Sequence, residues 1–361
     1  MRVLPTVLLG LGFIASASAA CAEKINWQKV DDVFGRKAAV GSGDVYRYGF
    51  PRTDLNVTLD DVAVKPALAL GGWVAFKPMG AEAMVMGDLV LLETEITPVM
   101  TKLIENGIQI TALHNHLLRA HPMPFYMHVG GQGEPVKLAT AIRAALAESG
   151  TPLEASASSA AAAIELDGGQ LDQIMGVKGK ANSGVYQFTV PRRESIREGE
   201  TVLAPAGPLG VATSINFQPT GNGKAAVTGD FVLLANEVNP VIQTLRENGI
   251  EVMALHSYML AEQPRLFFMH FWANDDSIRL AKGLRAALDK TRIGSRRPGF
   301  AGLFESPRHP GRFGCRGPGP LRYTGDARSP VLPLIFDDVC DDTLVGLAHH
   351  LCHFDFWFDQ G

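Results

Sequence analysis

Between Ala22 and Gly314 the chain has no cysteine. Its four cysteines, Cys21, Cys315, Cys340 and Cys352, all fall near the ends. The body therefore relies on a packed core and not on disulfides, and a cysteine nucleophile there is excluded. Long apolar runs are also scarce. The only one is Leu4 to Ile14, too short for a permanent membrane span. Charge of one sign is missing as well. There are 33 basic and 37 acidic residues, a net charge of −4, and the basic residues are scattered. Nucleic acid as a partner is excluded on that ground. No G-x-S-x-G, no phosphate loop and no G-x-G-x-x-G after a strand occurs. What remains is an ordinary globular composition, 46% hydrophobic and 19% charged, long enough for two domains.

Residues 1–22 read as a signal peptide. Arg2 is the positive start, Leu4–Ile14 the apolar stretch, and Ala15–Ala22 the small-residue cleavage region. The mature protein is expected to be exported, periplasmic or envelope-associated. It would touch a membrane only through this leader or through a lipid anchor on Cys21, which lacks the large aliphatic residue of a good lipobox.

The body is a tandem duplication. The first repeat domain is assigned to residues 23–150 and the second to 170–290, with an Ala/Ser-rich linker, 151–169, between them. Each copy opens with a short helix ending in glycine, VDDVFG (Val30–Gly35) and LDQIMG (Leu171–Gly176). A strand closing on Pro-Arg follows, ending at Arg52 and Arg192. Next come LGGWVAFKP and VATSINFQP, then MVMGDLVLLETEI and AVTGDFVLLANEV. The segments after these predict helices N-capped by Thr97 and Asn239, with Pro98 and Pro240 at the first helical position. A histidine-bearing strand, a proline-containing turn, another strand and a last helix finish each copy. The expected fold class is α+β. Each repeat is a mixed or antiparallel sheet with helices on one face, and the two are related by a pseudo-twofold axis.

The chemistry concentrates in NGIQITALHNHLLRAHPMPFYMHVGG, Asn106–Gly131. It carries His114, His116, His121 and His128, four of ten histidines. In a strand, residues two apart share a face, so His114 and His116 point together. A hairpin to the next strand brings His128 toward them. Three imidazoles suit a divalent metal such as zinc. His121 sits in the turn, where it can gate or bind. In the second copy His114 corresponds to His256 and His128 to His270, while Tyr258 replaces His116 and Gln263 replaces His121.

Glu95, equivalent to Glu237, is the candidate general base beside the histidines. Arg52 is a candidate anion-binding group, with His256, His270 and Tyr258 as further ligand-binding candidates. Asp88 and Asp230, each after a glycine, read as turn formers. Residues 291–361 are dense in Pro, Gly and Arg and have no counterpart in the first copy. They read as an atypical tail, frameshifted, fused or disordered.

The strings GDLVLLETEITPVM, ENGIQITALHNHLL and MPFYMHVGG, with TGDFVLLANEVNPVIQTLRENGIEVMALH and PRLFFMHFWANDD, resemble the LppY/LpqO lipoprotein family of bacterial exported proteins. The resemblance spans Trp27 to Lys290. It implies an exported protein with an H-N-H segment and a downstream M-H, matched by His114, Asn115, His116 and His128. The family's function is unknown, so the resemblance supplies no reaction. The leading expectation is an exported protein binding a divalent metal or small polar ligand through His114, His116 and His128. The rivals are a metal-dependent hydrolase with Glu95 as base and a structural or envelope interaction module, so enzymatic activity stays open.

Overall fold

The structure, a computed structural model, describes residues 24–154, 163–204 and 208–292. The residues 1–22 that read as a signal peptide, the middle of the linker, the tail from residue 293 onward and all four cysteines lie outside the described residues. No helix among the described residues is long and apolar enough to cross a membrane.

The first repeat runs α1 (Trp27–Phe34), β1 (Ala39–Gly41), β2 (Val45–Pro51), β3 (Thr58–Leu59), β4 (Val62–Ala63), α2 (Pro66–Ala69), β5 (Gly71–Met79), β6 (Glu82–Leu91), α3 (Glu93–Glu105), β7 (Gln109–His114), β8 (Phe125–Gly133) and α4 (Pro135–Leu146). The second repeat runs α5 (Gly168–Met175), β9 (Lys180–Asn182), β10 (Val185–Val190), β11 (Ile196–Glu198), β12 (Thr201–Leu203), β13 (Thr213–Gly221), β14 (Lys224–Leu233), α6 (Ala235–Glu247), β15 (Glu251–His256), β16 (Glu262–Gln263), β17 (Phe267–Asp276) and α7 (Ser277–Leu288). Each repeat holds one six-stranded antiparallel sheet, ordered β1-β2-β5-β6-β8-β7 and β9-β10-β13-β14-β17-β15. The α+β duplication with helices on one face is therefore the observed architecture.

Alternation along the strands decides what faces what. On β6, Val85, Leu89 and Leu91 pack under the helices, in one core with Val30, Phe34 and Ile142. Met84 and Met86 point the other way, into a core with Ile196, Val211 and Phe268 of the second repeat. The second repeat answers in kind. Met269 and Phe271 of β17 face α6 and α7, whereas Trp272 joins Leu59, Leu68 and Leu117 of the first repeat. The order is helices, sheet, sheet, helices. Both sheets are buried on both faces, which is why their strands read as near-continuous apolar runs. Polar ties also cross the repeats: Gln218 Nε2 donates to Ala63 O (2.7 Å), and its Oε1 accepts from Lys65 N (2.9 Å).

The helices after β6 and β14 begin earlier than the prolines suggest. Their caps are Leu92 and Leu234, and Pro98 and Pro240 lie inside the second turn. Glutamate at the third helical position outweighs proline's preference for the first. Glu95 accepts the Leu92 N–H and Glu237 the Leu234 N–H, both at 2.8 Å. The helical bond each proline forgoes falls on the exposed face, where water reaches the freed carbonyls of Thr94 and Asn236.

Candidate metal centre between the repeats

The strands β7 and β15 lie against each other across the repeat interface. Each ends on a histidine. His114 and His256 stack there with ring centroids 3.5 Å apart. His116 lies just beyond the end of β7 and is held flat against Tyr126 (3.3 Å, 6°), whose hydroxyl donates to Ala69 O at 2.8 Å. From that position it stacks on His270 of β17, at 3.5 Å. One nitrogen from each of His114, His116, His256 and His270 falls within 4.8 Å of the others.

Hydrogen bonds to the far side of two rings fix where the lone pairs point. His256 Nδ1 lies 2.9 Å from Ser257 O. His270 Nδ1 lies 2.8 Å from Asp230 Oδ1 and 3.1 Å from Gly229 O. A carbonyl and a carboxylate only accept, so both Nδ1 atoms carry the proton. In the neutral rings both Nε2 atoms are then bare, and they meet at 2.8 Å. Two facing lone pairs need a cation or a proton between them. In the first copy His114 Nε2 and His116 Nε2 also approach each other, at 2.9 Å.

Burial favours the neutral form of His114, His116, His128 and His256. It lowers His116 and His128 well below the ordinary imidazole value, and the other histidines' charges lower them further. Burial, then the His270 charge, brings His256 to about 4. His114 is lowered by burial and by His256 and His270. Neutral imidazole is the metal-binding form. A tetrahedral ion with about 2.0–2.1 Å bonds needs nitrogens about 3.4 Å apart, wider than the 2.8 and 2.9 Å contacts and inside the 4.8 Å that encloses all four. Four imidazoles suit zinc, copper, iron or nickel.

The sites read from sequence divide as follows. His114 and His116 join the four-histidine set. His128 does not: it groups with His116 and Asp88, again within 4.8 Å. The first-copy trio is thus split, because the second repeat supplies the other half of the cluster. His256, His270 and Tyr258 all sit at the cluster.

Glu95, Arg52 and His121 do not belong there. Both Glu95 oxygens are engaged by Arg52 (2.7 and 3.0 Å), and they also accept the Leu92 N–H and the Gly150 N–H (2.7 Å). Arg52 is buried, tied to Glu95, to Asp54 and to Val90 O. This bridge recurs as Arg192–Glu237. It joins sheet, helix cap and chain end in each repeat, and leaves Glu95 no role as a base and Arg52 none as an anion site. His121 is exposed, and its backbone pairs with Thr58 far along another segment.

Two residues at the cluster escaped the sequence reading. Asp88 and Asp230 are not turn formers. They sit mid-strand, paired with His128 and His270. Gly87 is small because β5 is close: a Cβ there would come within 2.8 Å of Val74 Cγ1. A carboxylate inside MVMGDLVLL was the signal. Burial, then the Asp230 charge, raises Asp88 far above the usual carboxylate range, against the pull of Arg47. Burial pushes Asp230 up too, but the His270 charge and hydrogen bond hold it below its ordinary value. Asp88, His116, His128, Asp230 and His270 all line a cavity of about 1030 Å³ between the repeats, together with Arg47 and Tyr258.

The family described as Domain of Unknown Function (DUF1259) matches residues 28–148 and 169–290, once per repeat. No curated protein matches the chain. Among solved structures, the trimeric bacterial microcompartment shell protein PduB is 13% identical, over 74% of this chain and 99% of its own, with a TM-score of 0.19. EtuB from Clostridium kluyveri is 7% identical over 70% and 89%, with a TM-score of 0.18. At those TM-scores the likeness carries no argument.

Proposed function

The chain belongs to the DUF1259 family, and we propose that it is an exported metal-binding protein whose ion is held between the two repeats by His114, His116, His256 and His270. One observation carries this reading: two Nε2 atoms, on rings whose Nδ1 atoms are both locked onto acceptors, meet at 2.8 Å. Outer hydrogen bonds of this kind are how proteins set the tautomer of a metal-ligating histidine. Export rests on the leader-like N-terminus and on the resemblance to the LppY/LpqO lipoproteins. Among the roles weighed from sequence, binding is favoured over Glu95-based hydrolysis, because that carboxylate is consumed by Arg52.

The test is elemental analysis of the purified full chain, as isolated and after dialysis against Zn(II). A first-row transition ion at one or more per chain is expected, and His256→Ala and His270→Ala should each lose one. A wild-type chain that holds no stoichiometric ion after zinc dialysis, while folded by circular dichroism, ends the proposal.

A further inference from the structure

The four-histidine set straddles the pseudo-twofold axis without being symmetric about it. Exchange of the repeats carries His114 to His256, His128 to His270 and His116 to Tyr258. Ring separations follow the exchange. His114–His128 is 4.7 Å and His256–His270 is 5.0 Å; His128–His256 and His114–His270 are both 5.4 Å. The image of the His116–His270 contact is therefore Tyr258–His128, at 4.1 Å. An image corner exists, built from Asp88, His128 and Tyr258.

The two corners differ in how their polar atoms are satisfied. On the four-histidine side His270 is bonded on both ring nitrogens. At the image corner Asp88 Oδ1, both nitrogens of His128 and the Tyr258 hydroxyl are buried without a hydrogen-bond partner. So is His114 Nδ1, beside the axis. Buried polar atoms are rarely left so, and five in one place mark a bound species. Its nature follows from the pair geometry. Asp88 Oδ1 and His128 Nε2 are 3.7 Å apart, too far to bond each other. That gap admits one ion at about 2.1 Å from each.

We infer that Asp88 and His128, with Tyr258 beside them and His116 in reach, form a second cation site separate from the four-histidine centre. Carboxylate and phenol oxygens make it the harder of the two, suited to zinc, iron or manganese and not to copper(I). It extends the metal reading above, but Asp88, His128 and Tyr258 belong to it alone, and so does its test.

Zinc stoichiometry of the full chain separates the two. Dialysis against Zn(II) is expected to give two ions per chain in the wild type. One remains in Asp88→Asn, one in His256→Ala, and none in the double variant. Tyr258→Phe preserves the ring and its packing. It should weaken only the second zinc, by about tenfold or more in a direct titration, with thermal melts confirming that each variant is folded. A wild type that binds a single zinc, lost in His256→Ala, overturns the second site and leaves the first standing. Retention of two ions by Asp88→Asn also overturns it. A chain with no zinc at all overturns both.

Discussion

His114 and His256 hold the same position in the two repeats and stack on each other at 3.5 Å. Equivalent residues can touch only where the pseudo-twofold axis passes between them. The axis thus runs through the histidine cluster, and any ion bound there joins two sheets that are 142 residues apart in sequence. A ligand shared by both halves stabilises only the assembled molecule.

Metal removal should therefore be a stability experiment. At zinc concentrations about 100 times the Kd, binding adds about 2.7 kcal/mol. For a body of this size that corresponds to roughly 5–10 °C in Tm. Differential scanning calorimetry with zinc and then with EDTA measures it. The increment should shrink in both His114→Ala and His256→Ala, although the two lie in different repeats. An increment undiminished in either variant would place the ion elsewhere.

The Arg192 bridge gives the second prediction. Arg192 and Glu237 are both buried and bonded at 2.7 and 3.1 Å, and Glu237 also accepts from Arg292 N. Removing one partner strands the other charge away from water, which costs about 3–5 kcal/mol. Urea denaturation of Arg192→Ala should show that loss. Zinc content per folded chain should not change, since neither residue touches the cluster.

The same pair predicts a pH dependence. Burial, the largest influence, pushes Glu237 upward, but hydrogen bonds from Arg192, Leu234 and Arg292 hold it below its ordinary value. A carboxyl depressed on folding contributes stability that is fully present above its unfolded pKa of about 4.3. That stability is lost as pH falls from there through the lower folded value. Glu237→Gln should be the less stable protein at about pH 7. Its deficit should narrow on acidification below about pH 4.3. Urea melts in EDTA from about pH 7 to about pH 3 test this without contribution from bound metal. A deficit that stays constant across that range would refute the ionic account.

Much of this was legible in the chain. The duplication, the α+β class and the convergence of His114 with His116 follow from repeat length, apolar patterning and the H-x-H spacing. The division of the site between repeats did not follow. Strand alternation tells which residues share a face, but not which sheet that face will meet. Only the cores shared by both repeats, such as Met86 with Phe268 and Trp272 with Leu59, settle that. Glu95 misled because a glutamate near a strand end serves equally as a helix cap, and the cap prevailed. Asp88 was hidden by Gly87, since Gly-Asp reads as a turn unless a neighbouring strand needs the glycine's missing side chain.

Tyr258 is the residue that breaks the symmetry, and replacing it tests the whole arrangement. It stands where the exchange of repeats would put His116, 4.1 Å from His128 in ring separation. Tyr258→His restores the second copy's missing imidazole. The image corner then has an imidazole nitrogen in place of a phenol, beside His114, His128 and His256. Imidazole is a better zinc ligand than a neutral phenol, and burial raises the Tyr258 hydroxyl far above its ordinary pKa, against the phenolate that would bind best. The second zinc should then bind about tenfold more tightly, which is about 1.4 kcal/mol. Competition against a chromophoric chelator reads this directly. The first zinc should change little, because Tyr258 is not among its four nitrogens. A weakened first zinc would mean that the two corners share one ion, and an unchanged second zinc that Tyr258 does not border it.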